Sequence, residues 1–203
     1  MKCLKDLNKV FIIAEMSGNH NGNLDVAIDT IRAAKEAGAD AIKLQTYRAD
    51  TITIESNKKD FMIDDDSYWS GQYLYDLYLT AYTPWKWHKK LFEVAKEENI
   101  IIFSAPFDHS AVDFLEDLNT PIYKIASAEI TDIPLIEYIA SKQKPIIIST
   151  GMANKSDIEL AIKIFALMNQ DRRLRLQEAL AHWKAKGNTQ LADAVVVALE
   201  DDQ

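Results

Sequence analysis

The 203 residues carry 23 Lys and Arg against 31 Asp and Glu, a formal net charge of -8. That balance lacks the broad basic face a general nucleic-acid binder needs, yet it leaves room for a locally basic site that takes a small anion. At 48% hydrophobic the chain can build a sizeable core.

The single cysteine, Cys3, excludes an internal disulfide and a cysteine zinc cluster, and it fits a reducing cytoplasm. No run approaches the roughly 20 apolar residues of a membrane helix, so no membrane partner is expected. The opening Met1-Lys-Cys-Leu-Lys-Asp6 is too polar for a secretory signal.

Val10 to Glu15 is a short apolar run ending in an acid, and it reads as a buried strand. Ser17 to Asn23 is loop chemistry. The 3.6-residue spacing of Ala27, Ile28, Ile31, Ala34 and Ala37 predicts a helix from Leu24, stopped by Gly38. Ala39 to Thr46 is a second strand, ending Lys43-Leu-Gln-Thr46, which completes a βαβ unit. Tyr47 to about Pro84 breaks the rhythm with an aromatic-rich insertion, inside which Leu74 to Ala81 is expected as a short helix. Long insertions after strands often serve as lids, and equally often are packed surface excursions.

A helix over Trp85–Asn99 follows, then a strand over Ile100–Phe107 and a helix over Ser110–Leu118 capped by Asp108. Tyr123-Lys-Ile-Ala-Ser-Ala-Glu129 is the fourth strand. Alternation along it sends Lys124 and Ala126 to one face and Ser127 and Glu129 to the other. Ile133–Ser141 is helical, Pro145–Gly151 is the fifth strand, and a helix runs from Lys155 to about Met168.

Polar residues recur at the carboxyl ends of these strands: Glu15, Lys43 with Gln45, Ser104, Lys124 with Ser127 and Glu129, and Ser149 with Thr150. In parallel α/β folds that end carries the ligand, so five polar ends argue for a site. Lys124 is a candidate anion binder, because an ammonium on a buried strand needs an anion to meet it. Local readings stay open beside this one. Glu15 and Lys43 can simply pair across neighbouring strands, Ser104, Ser149 and Thr150 suit turns and caps, and His20 suits local hydrogen bonding. His88, His109 and His182 show no ligand spacing, so no metal ligand is assigned. Beyond Asn169 the character changes: two helices are expected, over Leu174–Lys186 and Thr189–Glu200, with no sixth strand.

Together these strand ends resemble the sialic acid synthase family, and within it the pseudaminic acid synthases. The resemblance rests on Ile13-Ala-Glu-Met-Ser-Gly-Asn-His-Asn21, Ala37-Gly-Ala-Asp-Ala-Ile-Lys-Leu-Gln-Thr46, Leu74-Tyr-Asp-Leu-Tyr78 with Ala81-Tyr-Thr-Pro-Trp85, Phe103-Ser-Ala-Pro-Phe107, Tyr123-Lys-Ile-Ala-Ser127 with Glu129, and Lys144-Pro-Ile-Ile-Ile-Ser-Thr-Gly-Met152. It covers roughly residues 8 to 165.

The resemblance implies a (β/α)8 barrel that condenses phosphoenolpyruvate with an amino-sugar aldehyde to a nine-carbon acid and phosphate. It places Lys43, Lys124, Ser127 and Ser149 on phosphoenolpyruvate, Glu15 and Gln45 toward the sugar, and Glu129 as the acid that moves protons. It also implies a divalent metal, Mn2+ or Mg2+, whose histidine ligands lie on later strands that are not present here.

The expected fold class is therefore α/β: a partial (β/α) barrel of about five parallel strands over residues 1–168, then a helical tail, 169–203. Five strands cannot close such a barrel, so a second copy of the chain is a candidate for completing it. Three other functions stay open: an N-acetylneuraminate synthase, an inactive fragment or scaffold assembled by its tail, and another phosphoenolpyruvate-using aldol synthase. The aromatic insertion speaks against the last.

Overall fold

The structure, a computed structural model, describes residues 10–64, 66–168 and 195–197. These fall in two compact units, one spanning Phe11–Asn119 and the other including Thr120 onward.

In the first unit, strands β1 (Ile13–Glu15), β2 (Ala41–Thr46) and β3 (Ile101–Pro106) run parallel. Helix α1 (Leu24–Glu36) connects β1 to β2, as a right-handed crossover requires. Its N-cap is Asn23, whose side chain accepts from the Asp25 amide. Gly38 follows its C-terminus at φ +88, a conformation that costs glycine nothing.

Between β2 and β3 lie α2 (Ala49–Ile52), a single 3-10 turn (Lys59–Phe61), α3 (Leu74–Ala81) and α4 (Trp85–Glu97). Helix α3 is where the aromatic insertion was expected to be helical. A one-rung antiparallel bridge, Met62 to Tyr73, pins the intervening loop. Helix α5 (His109–Asp117) follows β3, and Asp108 caps it by accepting from the amides of Ser110 and Ala111.

The core of this unit lies between the sheet and helices α1 and α4. Ile31 of α1, Ile42 and Leu44 of β2, and Leu91, Val94 and Ala95 of α4 are all essentially inaccessible to solvent. Burying one such aliphatic side chain contributes about 1.5–3 kcal/mol.

In the second unit, β4 (Tyr123–Ile125) and β5 (Ile146–Ile148) pair in parallel, joined through a 3-10 turn (Ala128–Thr131) and α6 (Ile133–Ser141). Asp132 caps α6 by accepting from the Leu135 amide, with Pro134 in the first turn. Helix α7 (Lys155–Met168) packs on α6. All three isoleucines of β5 are buried, as a strand covered on both faces demands.

Two expectations need correction here. The fourth strand ends at Ile125, so alternation does not carry on to Ser127 and Glu129: Ser127 has helical dihedrals (φ -67, ψ -28) and Glu129 sits on the 3-10 turn. Within the stretch expected to be helical to Glu200, Val195–Val197 forms a strand, β6, antiparallel to β5. Three consecutive β-branched residues suit an extended backbone better than a helix. The other predicted tail helix, Leu174–Lys186, lies outside the described residues.

Candidate active site

The register of the first unit decides which side chains share a face. Glu15 pairs with Lys43 and Lys43 with Phe103, while Leu44 pairs with Ser104. Leu44 faces the helices, where it joins the core, so Lys43 and Gln45 project from the opposite face.

There Lys43 Nζ forms an ion pair with Glu15 Oε2, the lysine side chain being 13% exposed and the glutamate 44%. The cross-strand pairing left open by the sequence is thus present. The half-open carboxylate still offers a second oxygen to a ligand. Gln45 accepts through Oε1 from the Ser17 hydroxyl at 3.2 Å.

Ser17 belongs to a tightly wound loop after β1, with Ser17, Asn21 and Gly22 all at positive φ. Gly18 is needed for its size, because a Cβ there would lie 2.9 Å from the carbonyl oxygen of Ala81 at the end of α3. His20 anchors the same loop. Its Nδ1 accepts from the Gly22 amide at 3.1 Å, so the proton sits on Nε2 and is donated to Thr83 Oγ1 at 3.2 Å. Burial lowers its pKa. This histidine is a local hydrogen-bonding residue, as its Asn-rich setting suggested.

Ser104 does not join the ligand face. It is fully buried on the helix side, 2.6 Å from the Thr46 hydroxyl, and Thr46 in turn lies 2.8 Å from His88 Nε2. From the sequence Thr46 reads only as a strand end and His88 only as a histidine without ligand spacing. Only their separation of 42 residues in the chain hides a contact that the fold makes direct.

In the second unit Lys124 Nζ donates to Ser149 Oγ at 2.5 Å and to the Ile125 carbonyl at 2.6 Å. Ser127 lies across from Gly151, where a Cβ would come within 3.8 Å of the serine Cβ. Glu129 has one carboxyl oxygen, Oε2, buried without a hydrogen-bond partner. Its pKa is raised, first by burial and then by Asp132, against the opposing pull of its own backbone amide and of Lys124. A carboxyl held toward its protonated form can donate a proton.

Among the described residues no three His, Cys, Asp or Glu side chains come together as a metal site. No step is assigned to a metal ion. No helix among them is long and apolar enough to cross a membrane.

The NeuB family model matches residues 30–193, well over half of the chain and past residue 165, where the resemblance read from the motifs ends. The chain belongs to the NeuB family. It is 47% identical to the pseudaminic acid synthase of Campylobacter jejuni subsp. jejuni serotype O:2 over 157 residues, which are 77% of this chain and 46% of that protein. It is 46% identical to the pseudaminic acid synthase of Helicobacter pylori over 158 residues, 78% of this chain and 46% of that one.

Among solved structures, the N-acetylneuraminic acid (sialic acid) synthetase of Leptospira borgpetersenii serovar Hardjo-bovis, in complex with citrate, is similar with a TM-score of 0.68 and 34% identity. That likeness covers 79% of this chain and 51% of that one. The fold class is accordingly the partial (β/α) barrel expected from the alternation of strands and helices. This NeuB family chain spans about half the length of the curated relatives it matches.

Proposed function

We propose that this chain carries the phosphoenolpyruvate-binding part of a pseudaminic acid synthase. In that reaction phosphoenolpyruvate condenses with a 2,4-diacetamido-trideoxy hexose to give a nine-carbon acid and phosphate. The observation that carries the reading is the Lys124–Ser149 pair, a cation and a hydroxyl held together at a strand end, on positions that the family resemblance assigns to phosphoenolpyruvate. The 46–47% identity to two pseudaminic acid synthases supports the choice of sugar.

Phosphoenolpyruvate brings a carboxylate and a phosphate, and both demand charge-assisted donors. Lys124, Ser127 and Ser149 supply such donors in the second unit; Lys43 is assigned to the same ligand by the family resemblance alone. Glu15 and Gln45 are assigned to the sugar, the carboxylate accepting from hydroxyl or amide groups and the Gln45 amide N–H groups donating.

In the reaction the methylene carbon attacks the aldehyde carbon and a C–C bond forms. The aldehyde oxygen takes up negative charge and must be protonated, a task for the raised carboxyl of Glu129. Water then adds to the electron-poor carbon left behind, and phosphate departs.

In this reading a second copy of the chain is a candidate for completing the barrel. The reading also places the protein in the cytoplasm, where phosphoenolpyruvate is available. Titrating phosphoenolpyruvate into the chain tests it: saturable heat is expected, and its absence rejects the assignment.

A further inference from the structure

Thr46, Ser104 and His88 form a closed hydrogen-bond chain behind the sheet, and all three are fully buried. Its direction follows from its end. His88 Nδ1 lies 3.3 Å from the Pro84 carbonyl, which can only accept, so Nδ1 carries the proton. Nε2 of the neutral ring is then an acceptor, and the Thr46 hydroxyl, 2.8 Å away, donates to it. With its proton spent, the Thr46 oxygen accepts from Ser104 at 2.6 Å.

The same helix turn also holds the next residue. Trp85 Nε1 donates to the Tyr47 carbonyl at 3.2 Å. The ring of Phe114, stacked on Trp85 at 4.7 Å, meets His88 edge-on at 5.3 Å. Two consecutive residues at the carboxyl end of β2 are therefore tied to the first turn of α4, and Ser104 ties in β3.

An apolar side chain would fill this space at less desolvation cost. What the polar chain adds is direction, because hydrogen bonds fix where Thr46 sits in a way that packing does not. Thr46 follows Gln45 directly and lies three residues from Lys43, both of which project from the other face of the strand.

We propose that His88 is a positioning residue: through Thr46 it sets the end of β2, and with it the placement of Lys43 and Gln45. The importance of those two residues rests on the function proposed above; the positioning itself does not.

The test uses the full chain and three variants, His88→Phe, His88→Gln and Thr46→Val. The first readout is nitrogen-15 NMR of His88, where a protonated Nδ1 and a bare Nε2 are expected; the opposite tautomer overturns the proposal. The second is the acylation rate of Lys43, read by peptide mass spectrometry against Lys59, whose side chain is 80% exposed. His88→Phe and Thr46→Val are each expected to change the Lys43 rate at least about fivefold relative to Lys59. His88→Gln, whose amide can both accept and donate, should restore it to within about twofold.

Unchanged Lys43 reactivity in folded His88→Phe or Thr46→Val overturns the proposal, as does failure of the glutamine to restore it. Circular dichroism reports folding, and Thr46→Val, which removes one hydroxyl at constant shape, stands if the phenylalanine does not fold. Absence of phosphoenolpyruvate binding by the unaltered chain rejects the proposed function alone, because the labelling rates do not depend on that ligand.

Discussion

Lys124 and Ser149 meet across the β4–β5 pair at 2.5 Å, with the Ile125 carbonyl taking a second donor of the same ammonium at 2.6 Å. The lysine is thereby fixed at the strand end, and the serine keeps one lone pair and its proton for a ligand. Ser149→Ala removes one hydrogen bond to a charged group but leaves the Ile125 contact. Phosphoenolpyruvate affinity should fall about tenfold, the equivalent of ~1.4 kcal/mol, in calorimetry. A variant that binds as tightly as the parent would place the serine outside the ligand's reach.

Lys43→Ala separates binding from stability. The glutamate it abandons is 44% exposed and can be solvated, so unfolding should shift by no more than about 1 kcal/mol. Phosphoenolpyruvate affinity should still drop by tenfold or more. Denaturant melts and calorimetry on the same preparation distinguish the two effects.

Gly18→Ala tests the close approach of the loop after β1 to α3. The added methyl would sit 2.9 Å from a backbone oxygen that cannot rotate away. A loss of about 1–3 kcal/mol is expected, visible as a lowered thermal midpoint.

His88 makes stability depend on pH. Its folded pKa is about 4 against an ordinary 6.5, chiefly through burial; the Pro84 and Trp85 backbone contacts pull upward and His20 pulls downward. Between those two values the unfolded chain binds the proton more readily, so stability rises with pH. The contribution is complete above about 6.5 and is lost as pH falls toward 4, with about 3 kcal/mol at stake. Urea melts of the parent and of His88→Gln at pH 7, 5.5 and 4 should show the stability difference shifting in favour of the glutamine variant as the pH drops, because only the parent titrates. A constant difference between them would contradict this.

Glu129 behaves in the opposite sense. Its pKa is raised, so the folded chain holds the proton more tightly, and stability declines as pH climbs from the ordinary carboxylate value through the raised one. Glu129→Gln should be as stable as the parent at low pH and more stable at neutral pH. The same variant should lose phosphate release wherever the assembled enzyme shows it. A destabilised glutamine variant at pH 7 would mean that the carboxylate is satisfied in the fold.

Much of the fold was legible because the strands are apolar runs and the helices show a single buried stripe. The strand placement of Lys43 and Gln45 was legible as well, since both sit inside a regular strand where alternation holds to Thr46. Ser127 and Glu129 were assigned to the site but given the wrong backbone: the strand stops at Ile125, and Asp132, capping α6, draws the chain into a tight turn first. Ser104 looked like one more polar strand end. Only the register with Leu44 reveals that it faces the helices. The Thr46–His88 contact had no local signal, because one partner reads as a strand terminus and the other as a helix residue. Val195–Val197 showed a β-branched triplet whose helical context outweighed it on paper; pairing with the isoleucines of β5 outweighs it in the fold.

The most direct check of the whole account is calorimetric titration of phosphoenolpyruvate into the parent chain and into Lys124→Ala, with circular dichroism to show that both are folded. Saturable binding by the parent and at least a tenfold loss in the variant is the predicted result. Equal affinity in two folded proteins would contradict it.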